Sequence, residues 1–267
     1  MNDFAEPLTA QIVAACEGAL AESGYGVAVA FVRGNGVLSA MQALLGRGVQ
    51  AVIVADVSVP PELGRSAPAV PWVRLEGATF IPGGQAVSIG RREGVVLAAR
   101  YLQSLGHRRL ALIALSSAMV DDVRDAVGAD WEMLDCSSAG LDLDAARDTV
   151  RRWLEGVECP TAIICPNDVV ALAALRECAC RGVPVPQRVS LIGFGDSGFA
   201  RHSYPALSTV RVAAAEVGRR LAEAVFAAIE GLDAPSAVAP VKLIIRETTA
   251  PPAELQGQPF AAVPRGT

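Results

Sequence analysis

The sequence is poor in three features that mark large functional classes. Aromatic residues make up 5% of its 267 residues, histidine occurs twice, and lysine and arginine form no basic block within a net charge of −5. Charged or turn residues interrupt every apolar run well before the ~18 residues that a membrane-spanning helix needs. Because the sequence has no basic block, it gives no sign of a nucleic-acid-binding surface on this chain by itself. The short apolar runs predict no membrane span.

A secretory signal is also missing from the first ten residues. The segment MNDFAEPLTA carries acidic residues where such a signal carries Lys or Arg followed by an apolar stretch. We therefore expect a cytoplasmic protein.

The six cysteines lack the spacing of a metal site. One residue separates Cys178 from Cys180, which is tighter than the usual pair of ligands with two intervening residues, and no histidine lies near them. Most cysteines lie among Ala, Val and Ile, so we predict that they pack as small core residues. We predict neither a metal nor another cofactor.

The sequence is rich in short apolar runs that alternate with amphipathic stretches. Hydrophobic residues make up 52% of the chain, which is long enough to fold as two lobes. Periodicity predicts helices over 7–24, 37–48, 93–106, 143–156, 168–182 and 213–231, and strands over 26–32, 51–56, 71–76, 109–116, 161–166, 189–195 and 241–247. Apolar strands alternating with helices indicate an α/β fold with parallel sheets covered on both faces.

In doubly wound sheets, ligands bind beyond the carboxyl ends of the strands. The residues that follow predicted strands are therefore the first candidates for a site. They are Asp56, Glu76, Ser116, Asn167 and Asp196.

The stretch GDSG at 195–198 matches the surroundings of the nucleophilic serine in chymotrypsin-like proteases. Such a serine needs a histidine base and an acid. His107 lies in a predicted turn, and His202 is too close in sequence to Ser197 to act easily as an independent base. Those proteases are also all-β, and Phe199 stands where the G-x-S-x-G elbow of α/β hydrolases needs its second glycine. A strand that runs into a loop is favoured over a catalytic serine.

A Gly-Asn-Gly sequence at 34–36 follows a predicted strand and precedes a helix, where a dinucleotide fingerprint would lie. Ser39 replaces the third glycine, and only Asp56 supplies an acidic residue at the end of the next strand. A plain turn is favoured, because Asn and Gly readily adopt positive φ.

Three segments carry further motifs in a fixed order. Residues 161–231 contain a strand, Asn-Asp, a helix, and then GVPVPQRVS, GFGD and PALSTV. Residues 93–113 contain a helix followed by LGHRRLA, and 241–252 read VKLIIRETTAPP. Together these segments resemble the effector-binding core of the lactose/galactose repressor (LacI/GalR) family over almost the whole chain. By this resemblance, GDSG is the family's strand end and not a protease motif.

The resemblance implies a type I periplasmic-binding-protein-like fold, in which two doubly wound parallel-sheet lobes enclose a cleft. It implies three crossovers, near 106–109, 205–212 and 231–240. It assigns 1–105 and 211–232 to an N-terminal lobe, 106–210 and 236–250 to a C-terminal lobe, and 251–267 to a flexible tail. The family's helix-turn-helix headpiece and its first core strand, which should precede Asn2, are missing, which suggests a fragment or a truncated gene model. Loss of that strand should expose unpaired sheet edges.

The resemblance also implies a set of ligand-binding residues. Asn167 can present its amide to a ligand, or it can act as a helix cap alone. Phe194 can stack on a ligand ring or pack in the core, and Glu93 can accept ligand hydroxyls or serve as a first-turn carboxylate. The predicted set is Phe4, Asp56, Arg91, Glu93, Arg124, Asn167, Phe194 and Asp196.

The sequence departs from the family at several of these positions. Gly90-Arg91 stands where the family often has Asp-Asn, and Gly195 stands where it has Asp. Only Arg124, which is misplaced, can match the arginine that usually grips the ligand. We therefore expect that the effector is not a simple neutral sugar and that Arg91 or Arg92 favours an anionic one.

The sequence thus predicts the ligand-sensing, dimerising core of a LacI-type transcriptional regulator without catalytic activity. Its predicted partners are a small effector, sugar-like or anionic, a second copy of the chain, and operator DNA bound only through a headpiece absent from this chain. In the family, ligand-driven movement of the lobes changes the spacing of two DNA-reading headpieces. The alternative is the solute-binding protein of a sugar importer, which would need a signal or lipid-anchor segment.

Overall fold

A computed structural model describes residues 7–30, 36–55, 70–75, 85–128, 131–136, 143–156, 159–233 and 237–253. The helices are α1 (Pro7–Ala21), α2 (Val37–Leu45), α3 (Arg91–Ser104), α4 (Ser117–Val127), α5 (Leu143–Glu155), α6 (Asp168–Cys180), α7 (Gly198–His202) and α8 (Ala214–Ile229). The strands are β1 (Val52–Ala55), β2 (Trp72–Leu75), β3 (Gln85–Ser88), β4 (Arg109–Ile113), β5 (Glu132–Cys136), β6 (Ala162–Ile164), β7 (Ser190–Phe194), β8 (Ser208–Val212), β9 (Ala237–Val238) and β10 (Val241–Ile244).

The chain divides into two compact units. Among the described residues, the first spans Leu8–Gly90 and Ala213–Pro240, and the second spans Arg91–Val212 and 241–253, together with Pro7. Beyond Leu8, the described chain therefore passes between the units three times, at Gly90–Arg91, Val212–Ala213 and Pro240–Val241.

The first passage comes earlier than the predicted boundary at 105, so α3 belongs to the second unit. The reason is local packing. A Cβ added at Gly94 of α3 would lie 2.7 Å from the Phe194 ring and 2.8 Å from Val210 Cγ1, because the helix lies directly against the second sheet.

The first unit is built on a sheet of four strands in the order β1-β2-β3-β9, and all of the neighbouring strands are parallel. Met41 of α2 packs with Val52, Val54 and Trp72 in one apolar cluster. Helix α8 covers β2 and β3.

The strand predicted over 26–32 is wrong for 26–30, which are described and form no strand; 31 and 32 lie outside the described residues. An apolar segment becomes a strand only where a neighbour can pair with it. Among the described residues, β1 pairs with β2 alone, so the other edge of β1 has no strand beside it. Val29 keeps 47% of its surface exposed.

The second unit is built on a sheet of six strands in the order β10-β8-β7-β6-β4-β5. All pairs are parallel except β8 with β10. If β4 to β8 are renumbered 1 to 5 along the chain, their order across the sheet is 2-1-3-4-5, which is a doubly wound order. The direction of winding reverses between β4 and β6, and that point is the topological switch point of the sheet.

Burial explains why apolar runs in the sequence predicted β6 and β7 of this sheet. Every residue of β6 and β7 is buried, so both strands read as continuous apolar runs. Of the five cysteines whose side chains are described, Cys16, Cys159, Cys165 and Cys178 are buried and Cys180 is exposed, which agrees with the predicted core role. Among the helices of the described ranges, none combines the length and apolar content needed to cross a membrane.

Candidate functional site at the switch point of the second sheet

The carboxyl ends of β4 and β6 each lead into a capped helix. Ser116 caps α4, with its Oγ accepting the Met119 N–H at 3.4 Å. Asn167 caps α6, with its Oδ1 accepting the Val170 N–H at 2.8 Å. The two helices therefore begin at the switch point, where doubly wound sheets place their ligands.

Asn167 has more hydrogen-bonding capacity than the cap uses. The residue is 5% exposed, and its carbonyl oxygen serves the cap. Within the described ranges its amide nitrogen has no protein acceptor. That nitrogen is nevertheless not completely buried. The amide can therefore donate to a ligand while the cap stays intact.

Arg91 begins α3 and reaches the same place. Its Nη1 donates to the carbonyl oxygen of Pro166 at 3.0 Å, one residue before Asn167. The guanidinium carbon lies 5.0 Å from the centre of the Phe194 ring, within the range of a cation–π interaction. Arg91 is only 8% exposed.

Phe194 itself is 2% exposed, with Arg91 over its ring and Gly94 against its edge. This burial fits core packing better than direct stacking on a ligand. Its predicted ligand contact stays a prediction.

The GDSG stretch forms the turn after β7. Asp196 has φ of 54°, a left-handed conformation that Asp tolerates better than most residues. One of its carboxylate oxygens pairs with Arg211 and the other with Arg246. Both oxygens of Asp196 are therefore engaged within the protein, and its predicted ligand role stays untested.

Ser197 has a structural partner for each of its polar groups. Its Oγ accepts the Ala200 N–H at 3.3 Å and caps the short helix α7, and its N–H donates to Asp168 Oδ2 at 2.6 Å. His107 lies elsewhere, with Nδ1 3.0 Å from Thr161 Oγ1 and Nε2 2.9 Å from the Ala250 carbonyl oxygen. Neither of its ring nitrogens faces Ser197.

Asp168 is the polar residue that the sequence analysis missed. It is 2% exposed and accepts hydrogen bonds from the Ser197 N–H and the Thr209 hydroxyl, which ties α6 to the ends of β7 and β8. Burial raises the pKa of Asp168, while these hydrogen bonds oppose the rise. The sequence does show an Asn-Asp pair after a buried strand, which marks the place. Nothing in that pair indicates that the side chain of Asp168 turns inward.

Four further residues were predicted to bind the ligand, and their predicted roles stay untested. Phe4 and Asp56 lie outside the described residues. Glu93 is exposed in the first turn of α3. Arg124 lies in the last turn of α4, far along the helix from the switch point, and pairs with Asp121 at 3.3 Å.

Comparison with known proteins agrees with this architecture. Residues 99–249 match the sequence profile of the periplasmic binding protein-like domain, and the chain belongs to that family.

The relatives of this chain are transcriptional regulators. The HTH-type transcriptional regulator reg1 of Streptomyces lividans is 30% identical over 79% of this chain and 65% of its own length. A LacI transcriptional regulator from a Rhodococcus species is 27% identical, with a TM-score of 0.82 over 93% of this chain and 96% of that chain. The transcriptional regulator CelR in complex with cellobiose is 25% identical, with a TM-score of 0.80 over 92% of this chain and 80% of that chain.

These similarities confirm the predicted fold class and the predicted resemblance to effector-binding cores of LacI-type regulators. The chain spans about half to two thirds of the length of the Streptomyces regulators that it matches.

Proposed function

We propose that this chain is the small-molecule-sensing and dimerising core of a cytoplasmic LacI-type transcriptional regulator and that it is not an enzyme. The observation that carries the proposal is the switch point of the second sheet. There, the free amide of Asn167 and the buried guanidinium of Arg91 lie beside the carboxyl end of β6. The similarity to a regulator solved with cellobiose supports a small carbohydrate-like effector. Operator DNA would be bound through a headpiece outside this chain.

Ligand sensing is tested by thermal unfolding of the full chain with a panel of neutral and acidic mono- and disaccharides. An effector at about 100 times its Kd stabilises the folded state by roughly 2.7 kcal/mol, which shifts the Tm by several degrees. A companion transcript measurement, with and without the gene, shows whether nearby genes respond to the same compound. A panel without any stabilising compound contradicts the proposal, and an effector without any transcript response favours the solute-binding alternative.

The variant Asn167→Ser separates the ligand role of this residue from its capping role. Serine caps helices about as well as asparagine, so we expect the free energy of unfolding to change by less than roughly 0.5 kcal/mol. Because the amide donor is lost, the affinity for the effector should fall roughly tenfold or more. An unchanged affinity would show that Asn167 is a cap only.

Dimerisation is supported by an exposed aromatic surface on the second unit. Phe199 in α7 is 64% exposed and Tyr204 just after it is 95% exposed. Exposed aromatic side chains are typical of protein–protein contacts. We propose that this surface contacts a second copy of this chain.

A further inference from the structure

Among the described residues, the charge of Arg91 has no carboxylate counter-ion. The guanidinium has five N–H donors, and one protein acceptor, the Pro166 carbonyl oxygen, is seen. Within the described residues no carboxylate pairs with it. A buried charge is costly without a partner of opposite sign, and one face of an aromatic ring offsets only part of that cost.

Two other arginines of the second unit, Arg92 and Arg246, differ in this respect. Arg92, the neighbour of Arg91, is 68% exposed along its side chain and pairs with Asp122 at 2.7 Å. Arg246, whose side chain is 13% exposed, pairs with Asp196. Of the two arginines that the sequence suggested for anion binding, only Arg91 is therefore both buried and without a carboxylate partner among the described residues.

The remaining donors of Arg91 are not completely buried. No nitrogen atom of Arg91 is both completely buried and without a hydrogen bond. The residue is also the first of α3, and its Pro166 contact holds it near the first turn of α6. The amino ends of both helices carry partial positive charge, which adds to that of the guanidinium.

We infer that Arg91 binds an anionic group of the effector, a carboxylate or a phosphate, and that it selects sugar acids or sugar phosphates over neutral sugars. This inference rests on the proposed ligand-sensing function. The anion supplies the missing counter-charge, and the planar fork of the guanidinium matches two of its oxygens.

The test uses calorimetry on the full chain with glucose, glucuronate, glucose 6-phosphate and inorganic phosphate. At least one of the two charged sugars should bind roughly tenfold or more tightly than glucose, with an affinity that falls as salt rises. Inorganic phosphate alone shows whether the anionic group is recognised without the sugar ring.

Three variants then show whether Arg91 causes the preference for the charged sugar. Arg91→Gln should abolish the preference for the charged sugar, and Arg91→Lys should keep part of it because the charge remains. Arg92→Gln is the matched control and should leave the preference unchanged. If Arg91→Gln does not fold, Arg91→Lys serves as the test. Its preference for the charged sugar over glucose should then be weaker than that of the wild type.

The outcomes separate the two proposals. Glucose binding without a preference for the charged sugars, or a preference that survives Arg91→Gln, overturns the anion assignment and leaves ligand sensing intact. Failure of every compound here, together with failure of the wider saccharide panel, overturns both.

Discussion

At the scale of single residues, the partner of a polar side chain decides its role. Asp196 stood among the predicted ligand-binding residues, yet both of its oxygens are held by arginines. Arg91 and Arg92 are neighbours in sequence, but one is buried on an aromatic ring and the other is paired at the surface. Such differences arise from contacts with residues far away along the chain.

His107 provides a pH-dependent test at this scale. It is 1% exposed, and burial lowers its pKa, opposed by the hydrogen bond to the Ala250 carbonyl. Below the ordinary pKa of about 6.5, the unfolded chain takes up a proton before the folded chain does, so acid removes the stability that the neutral ring contributes. The difference in free energy of unfolding between the wild type and His107→Gln should therefore narrow as the pH falls from about 7.5 to about 5.5, by at most ~1.4 kcal/mol per pH unit.

Urea denaturation at several pH values measures this difference. The exposed His202 gives the control variant His202→Gln, which removes a histidine from the surface. A constant difference for His107→Gln would mean that His107 titrates alike in the folded and unfolded chains.

At the scale of elements, close approach between helices depends on missing side chains. A Cβ added at Gly218 of α8 would lie 2.5 Å from Ala15 Cβ and 2.6 Å from the backbone nitrogen of Cys16 in α1. Since the second obstacle is backbone, the helices must move apart to admit even a methyl group. Gly18 of α1 has no atom within 4 Å of the same added position.

Gly218→Ala should therefore destabilise the chain by roughly 1–3 kcal/mol, the usual cost of overpacking a core. Gly18→Ala makes the same chemical change in a helix with free space and should stabilise the chain by about 0.5–1 kcal/mol through helix propensity. Thermal and urea unfolding measure both variants. Equal effects of the two substitutions would contradict the close approach of α1 and α8.

At the scale of the whole molecule, the proposed dimer is the feature most open to test. Tyr204→Asp places a charge in the exposed aromatic surface and should weaken self-association roughly tenfold or more, because desolvating an unpaired carboxylate is costly. Leu232→Asp is the control, since Leu232 is 58% exposed but belongs to the first unit. Sedimentation equilibrium gives the masses, and a monomeric wild type or an unaffected Tyr204→Asp dimer would refute the assignment.

Most of the fold could be predicted from local patterns. The buried strands β4, β6 and β7 and the long helices follow from apolar runs and helical spacing, because each element buries its own apolar face. The strands β3, β5 and β8 were missed, because polar residues interrupt their apolar runs, which read QAVS, EMLDC and STVRV. The segment 26–30 was apolar enough for a strand but has no strand beside it in the described residues.

The sequence by itself determined the parallel α/β class, the buried strands and long helices, and the position of candidate residues after strands. Only the tertiary structure decided that α3 joins the second unit, that Asp168 turns inward, and that Arg91 lies beside Asn167 without a carboxylate partner among the described residues. Periodicity records whether a residue is buried, which is a local property. The identity of its neighbour depends on which distant strand ends meet at the switch point, and that is settled only when the sheet assembles.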